Sequence, residues 1–152
     1  MVTKTEKRNF KIIEDHLRNY KLYKAGIHNF KRKLDYIMPN ITSSYELREG
    51  SVGVFTFKSD TEKYAIDRIE SKRALDIVEE MKRYQLIIDS IDKTLRDLKK
   101  EERDFVIARY IEDQSMEKVS QQMNVSLSSA YEFKNEVRKR LLIGCKDLVL
   151  IP

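Results

Sequence analysis

The sequence predicts an all-α protein, a long coiled-coil-like helical hairpin followed by a C-terminal unit of three helices. Apolar residues recur at alternating intervals of three and four over most of the chain, the spacing that keeps one stripe of a helix facing a partner. Only four Gly and two Pro occur in 152 residues, too few of the residues that turns demand for an all-β fold. Alternation of period two appears in one place alone, the short run VGVFTFK (52–58).

In chain order, the first element spans residues 5–37. Phe10, Ile13, Leu17, Tyr20, Tyr23, Ile27, Phe30, Leu34 and Ile37 form its stripe. Gly26 is a candidate kink, and Pro39 ends the helix because it lacks an N–H and pushes Met38 out of helical geometry. Residues 39–60 read as an irregular loop, rich in turn formers, with a short strand or extended arm at 52–58. The second long helix is expected from about Thr61, whose hydroxyl can cap it, to about Leu98, with Ile66, Ile69, Ile77, Met81, Tyr84, Ile88, Ile91 and Leu95 on its stripe. Neither helix is stable alone in water with one narrow apolar face, so the expected domain 1–98 pairs them, or pairs them with a second copy.

From Lys99 the elements shorten. A helix over Glu101–Ile111 is followed by a break at Gln114–Ser115 and a second helix over Met116–Met123. Asn124 suits a left-handed C-terminal cap, and Ser126 suits the N-cap of a third helix, Leu127–Leu142. A short helix, a tight turn and a longer helix are the parts of a helix-turn-helix, whose second helix can enter the major groove of DNA. Ala130, Phe133, Val137 and Leu141 form the inward stripe of that third helix, with Ala130 small enough for a close crossing and Val125 plugging the corner. The stripe leaves Ser128, Tyr131, Glu132 and Asn135 on the opposite side. Their chemistry suits base edges, because Glu accepts from cytosine, Asn pairs with adenine and Ser serves either. Arg138, Lys139 and Arg140 follow where phosphates would lie. The domain expected over 99–143 is then a DNA-binding unit, and 144–152 an apolar tail that packs back on the core or on a partner.

Charge gives this reading modest support. The chain carries formal charge +5, concentrated in residues 1–40, where ten Lys and Arg stand against four Asp and Glu. Residues 101–152 carry eight against nine, but Lys134, Arg138, Lys139, Arg140 and Lys146 cluster late in that segment.

The run ERDFVIARYIEDQSMEKVSQQMNVSLSSAYEFKNEVRKRL (102–141) resembles the C-terminal DNA-binding region of bacterial sigma factors. Taken whole, the chain resembles phage late-gene transcription activators of the ArpU/RinA type. Like them it sets a basic helical first half, a loop ending near SDTEKYAI (59–66) and a long helix before the sigma-like unit. The resemblance implies base contacts at Ser128, Tyr131 and Glu132, with Arg103, Arg109 and Lys118 near DNA or polymerase. Asn124 departs from the usual Gly of that turn, and Tyr131 stands where Lys or Arg is common. The full set of candidate DNA contacts is Ser128, Ser129, Tyr131, Glu132, Lys134, Asn135, Arg138 and Lys139, joined by Lys118 and Arg103. The expected partners are double-stranded DNA, RNA polymerase and a second copy of the chain. Two alternatives share these parts: a recognition subunit for phage DNA packaging, and a helical protein-interaction module that uses the long seam.

Other chemistry finds no foothold. His16 and His28 have no companion ligands, Cys145 is the lone cysteine, and there is no phosphate-binding glycine motif, so no catalytic site, metal or cofactor is expected. No run of 18 apolar residues occurs, so no membrane span is expected. The first residues have no apolar signal region, and a cytoplasmic location in a bacterial host follows as the expectation.

Overall fold

A computed structural model describes residues 2–37 and 60–151, with the side chains of 60–67 left aside. Most of the expected loop, and the strand expected at 52–58, lie outside the described residues. What is described is all-α: α1 Lys4–Arg18, α2 Tyr20–Ile37, α3 Asp60–Asp97, α4 Lys100–Val106, α5 Met116–Met123 and α6 Leu127–Gly144. A π-helical turn, Ile107–Ile111, extends α4, and a 3₁₀ turn, Lys146–Val149, follows α6.

The single helix expected over 5–37 is two. Asn19 interrupts it with backbone angles of −90° and 3°, ending α1 as a C-cap, while α2 runs through Gly26 without a break. Gly26 serves close approach instead: a Cβ there would lie 2.8 Å from the Tyr84 ring. The start of α1 is fixed by a capping box, in which the Thr3 hydroxyl accepts from the Glu6 N–H and the Glu6 carboxylate accepts from the Thr3 N–H. The Thr-x-x-Glu spacing that builds it is plain in the sequence.

The chain divides into two compact units, Met1–Lys24 with Gln85–Pro152, and Ala25–Tyr84. The expected boundary at 98/99 is therefore not where the packing divides. The reason lies in the first turns of the chain. Phe10, Ile13 and Leu17 are buried together with Ile87, Ile91, Phe105, Val106, Tyr110, Val137 and Leu141, so α1 belongs to the core of the C-terminal helices. Phe10 meets Tyr110 edge-to-face at 6.0 Å, and Phe105 meets Phe133 likewise at 5.5 Å. Arg18 pairs with Asp113, and Lys21 with Glu112 at 2.9 Å, tying α1 and the start of α2 to the corner after the π turn. In the second unit Ile27 and Ile77 are buried and Phe30 stacks at a tilt against Tyr84, 5.7 Å between ring centres.

The apolar tail packs back as expected. Cys145 and Leu148 are fully buried, and α6 approaches α3 so closely that a Cβ on Gly144 would lie 2.6 Å from the Thr94 methyl. Leu150 stays exposed.

Between α5 and α6 the turn is built as the residues dictate. Asn124 adopts the left-handed conformation at φ 56° and ψ 41°; its N–H bonds Gln121 O at 3.2 Å while Val125 N–H bonds Ser120 O at 3.1 Å, a Schellman closure. Ser126 then caps α6 by accepting from Ser129 N–H at 3.2 Å. Ala130 and Ser120, both buried, are the small residues on the two helices. Val125 does not plug the corner: it is 40% exposed, because the left-handed step at Asn124 turns the next side chain outward.

Two stability predictions follow from these environments. Asn124→Gly should leave stability unchanged or improve it, whereas Asn124→Val should lower it by about 1–2 kcal/mol, since a β-branched residue resists left-handed geometry; chemical denaturation measures both. The Tyr110 hydroxyl is buried without a hydrogen-bond partner, and burial pushes its pKa up to about 12. A folded pKa above the unfolded value gives stability that is whole below about pH 10 and lost as pH rises toward 12. Tyr110→Phe should therefore change little at pH 7 and remove roughly 2–3 kcal/mol of alkaline loss over that window, read as Tm against pH.

Candidate nucleic-acid interface

The helix α6 has one face committed to the core and one free of it. Ala130, Val137 and Leu141 are buried and Phe133 is partly buried against Phe105. Ser128, Ser129, Tyr131, Glu132, Asn135 and Lys139 are exposed. The inward stripe falls as expected, and so does the outward set. Ser129, Glu132, Phe133, Asn135, Glu136 and Lys139 line a shallow groove along this outer face.

The serines at the start of α6 are partly engaged. Ser126 Oγ donates to Ser129 Oγ at 2.9 Å and lies 3.3 Å from Ser128 Oγ, so the three hydroxyls form a small network over the helix N-terminus. Tyr131, 46% exposed, stands just beyond, with the Lys134 ammonium 5.7 Å from its ring centre. Among the described residues the side chains of Glu132 and Asn135 make no hydrogen bond, and they present a carboxylate and an amide to solvent.

The cations expected to meet phosphate are placed differently. Arg138 is half-buried with its guanidinium carbon 5.9 Å from the centre of the Phe10 ring. Arg140 pairs at 3.1 Å with Glu102, a carboxylate buried at the start of α4. Lys139 pairs with Glu136 at 3.3 Å, an exposed contact worth little by itself. Lys134 is half-buried, and desolvation first, then the nearby Arg109 charge, lower its pKa. Two carboxylates, Glu132 and Glu136, thus share the outer face with one ammonium, Lys139. At the basic end of α6, Arg138 is half-buried, and Lys139 and Arg140 are exposed but each paired with a carboxylate.

Arg103 is engaged with the chain itself. Its Nε donates to Leu95 O at 2.8 Å and its Nη2 to Leu98 O at 3.3 Å and Arg96 O at 3.5 Å, so the half-buried guanidinium caps carbonyls at the end of α3. Arg109 likewise turns inward, donating from Nη1 to Gln114 O at 2.9 Å. The helix expected over 101–111 ends in a π turn: Glu112 N–H bonds Ile107 O at 2.8 Å, Gln114 N–H bonds Ala108 O at 3.0 Å, and Asp113 takes a left-handed φ of 53°. Lys118 is exposed on the first turn of α5, the one supporting-helix residue of the expected set that is open to solvent.

Groups suited to other chemistry are scattered. Among the described residues no three His, Cys, Asp or Glu side chains come together as a metal site, and no helix is long and apolar enough to cross a membrane. Cys145 is buried, its thiol pKa pushed up by desolvation and, to a lesser degree, by the Asp147 charge, despite the 3.4 Å hydrogen bond to Thr94 Oγ1.

Sequence reasoning missed the Arg103 cap, the Glu102–Arg140 pair and the Phe10–Arg138 contact. Each joins residues far apart in the chain or across elements, and nothing in local spacing marks it. Comparison with known proteins finds no matching family model, no matching curated protein and no matching solved structure.

Arg103→Ala should lower stability by about 1–2 kcal/mol through the uncapped α3 carbonyls, a fall of several degrees in Tm for a chain of this size. Thermal and chemical denaturation of the variant beside the parent chain check it.

Proposed function

We propose that this chain is a DNA-binding transcriptional regulator that reads duplex DNA through the outward face of α6, presented by a helix-turn-helix of α5 and α6. The observation that carries the reading is the exposure of Tyr131, Glu132 and Asn135 on one side of a helix whose other side, Ala130, Val137 and Leu141, is fully buried. Those three side chains offer an aromatic ring, a carboxylate acceptor and an amide within two turns, a set matched to base edges in a major groove. The Ser126 cap and the left-handed Asn124 hold the helix start rigid, which favours recognition because little freedom is lost on binding. The resemblance of residues 102–141 to the sigma-factor DNA-binding region, and of the chain to late-gene activators of the ArpU/RinA type, supports a role at phage or prophage promoters in the bacterial cytoplasm. In that role the remaining surface would contact RNA polymerase or a second copy, and a two-fold dimer would read half-sites about one helical turn apart.

Selection from a random duplex library with the purified chain tests the proposal. An enriched motif is expected, and Glu132→Ala or Asn135→Ala should relax preference at one or two positions by about 1–3 kcal/mol each while leaving the others intact. A library with no enrichment, or an unchanged motif in both variants, rejects this face as the reader.

A further inference from the structure

The outer face of α6 carries little net positive charge, so a DNA reader built on it must find its phosphate-neutralising surface elsewhere in the same unit. We infer that α1 supplies it, through Lys4, Lys7, Arg8 and Lys11. This inference rests on the proposed function and names the part of the protein that holds the nucleic-acid backbone.

At positions 4, 7, 8 and 11 of one helix the four cations fall within an arc of about 100°. All four are exposed, and none is in an ion pair or hydrogen bond among the described residues. The one acid in the same stretch, Glu6, is held by the capping box at Thr3. The arc lies outside the buried stripe of Phe10, Ile13 and Leu17, with Lys7 at the edge nearest Phe10, so the core leaves it to solvent. The contrast with α6 is one of pairing: Arg138 is half-buried beside Phe10 and the exposed Arg140 is paired with Glu102, whereas the α1 cations have no such partner among the described residues.

Position matters as much as charge. α1 borders the later half of α6, where Phe10 lies under Arg138 and where Glu6 and Asn9 share a groove with Lys139, Leu142 and Ile143. Lys7 is three residues from Phe10, a neighbour on the helix surface. The basic arc is thus carried by the helix packed beside the reader, in the same unit, where it adds positive charge next to α6. Four contacts of this kind give affinity that is indifferent to sequence and steep in salt. An anionic membrane would use the same charges, but the amphipathic helix that binds membranes inserts its apolar face, and here that face is buried in the core. The geometry favours a duplex.

The test is fluorescence anisotropy of the full chain on two labelled duplexes, one carrying the selected motif and one unrelated, across a range of salt. The variant combines Lys4→Gln, Lys7→Gln, Arg8→Gln and Lys11→Gln, leaving Thr3, Glu6 and the buried stripe intact; a second set replaces Lys4, Lys7 and Lys11 by Arg, and single Gln substitutions serve if the combined variant is unfolded by circular dichroism. Expected is a loss of at least tenfold on both duplexes at 100 mM salt, a log–log salt slope shallower by about 2–4, an unchanged selected motif, and full binding by the Arg set. An unchanged slope with wild-type affinity overturns the role of α1 while leaving the α6 reading in place. A wild-type chain that retains no duplex at low salt defeats both. Loss confined to phosphatidylserine vesicles, with duplex binding intact, overturns the inference in favour of a membrane.

Discussion

The burial of Phe10, Ile13 and Leu17 among the C-terminal helices is the interaction on which the first unit depends. Three large apolar side chains fully withdrawn from water contribute on the order of 5–8 kcal/mol, which is comparable to the whole stability of a small domain. The ion pairs beside them, Arg18 with Asp113 and Lys21 with Glu112, are partly or largely exposed and worth at most about 1 kcal/mol each. The salt bridges orient α1; the apolar stripe holds it.

That packing decides which charges are available. With α1 seated on α6, Arg138 lies over the Phe10 ring and Lys134 is partly desolvated, while Lys4, Lys7, Arg8 and Lys11 of α1 remain open to solvent. A cation count along the sequence weights α6 and α1 alike, but the fold does not. In the proposed division of labour α6 discriminates among bases and α1 attracts the backbone, two tasks that physical chemistry separates in protein–DNA recognition.

The polar interior is arranged to serve the same junction. Arg103 closes the carbonyl end of α3, Arg140 neutralises the buried Glu102, and Thr94 meets both the Cys145 thiol and the close approach at Gly144. The Arg103 and Arg140 contacts give partners to groups that helix packing draws away from water, although the second Glu102 oxygen stays buried without one. The left-handed residues Asp113 and Asn124 sit at the two corners that redirect the chain around α5, and both are of the residue types that tolerate that conformation.

Local chemistry was legible from the residues alone. The all-α class, the limits of α5 and the start of α6, the caps at Asn124 and Ser126, and the inward set Ala130, Val137 and Leu141 all follow from helical periodicity and turn preference, which act over a few residues; α6 runs two residues past the expected Leu142, to Gly144. The partner of each stripe was not legible, because an apolar stripe specifies that it must be buried and not against what. Phe10, Ile13 and Leu17 have the spacing of a long hairpin seam, and only the tertiary structure assigns them to the C-terminal core and breaks the helix at Asn19. The fate of the cations was hidden for the same reason: whether an Arg caps a helix, stacks on a ring or faces water depends on neighbours that sequence distance does not reveal.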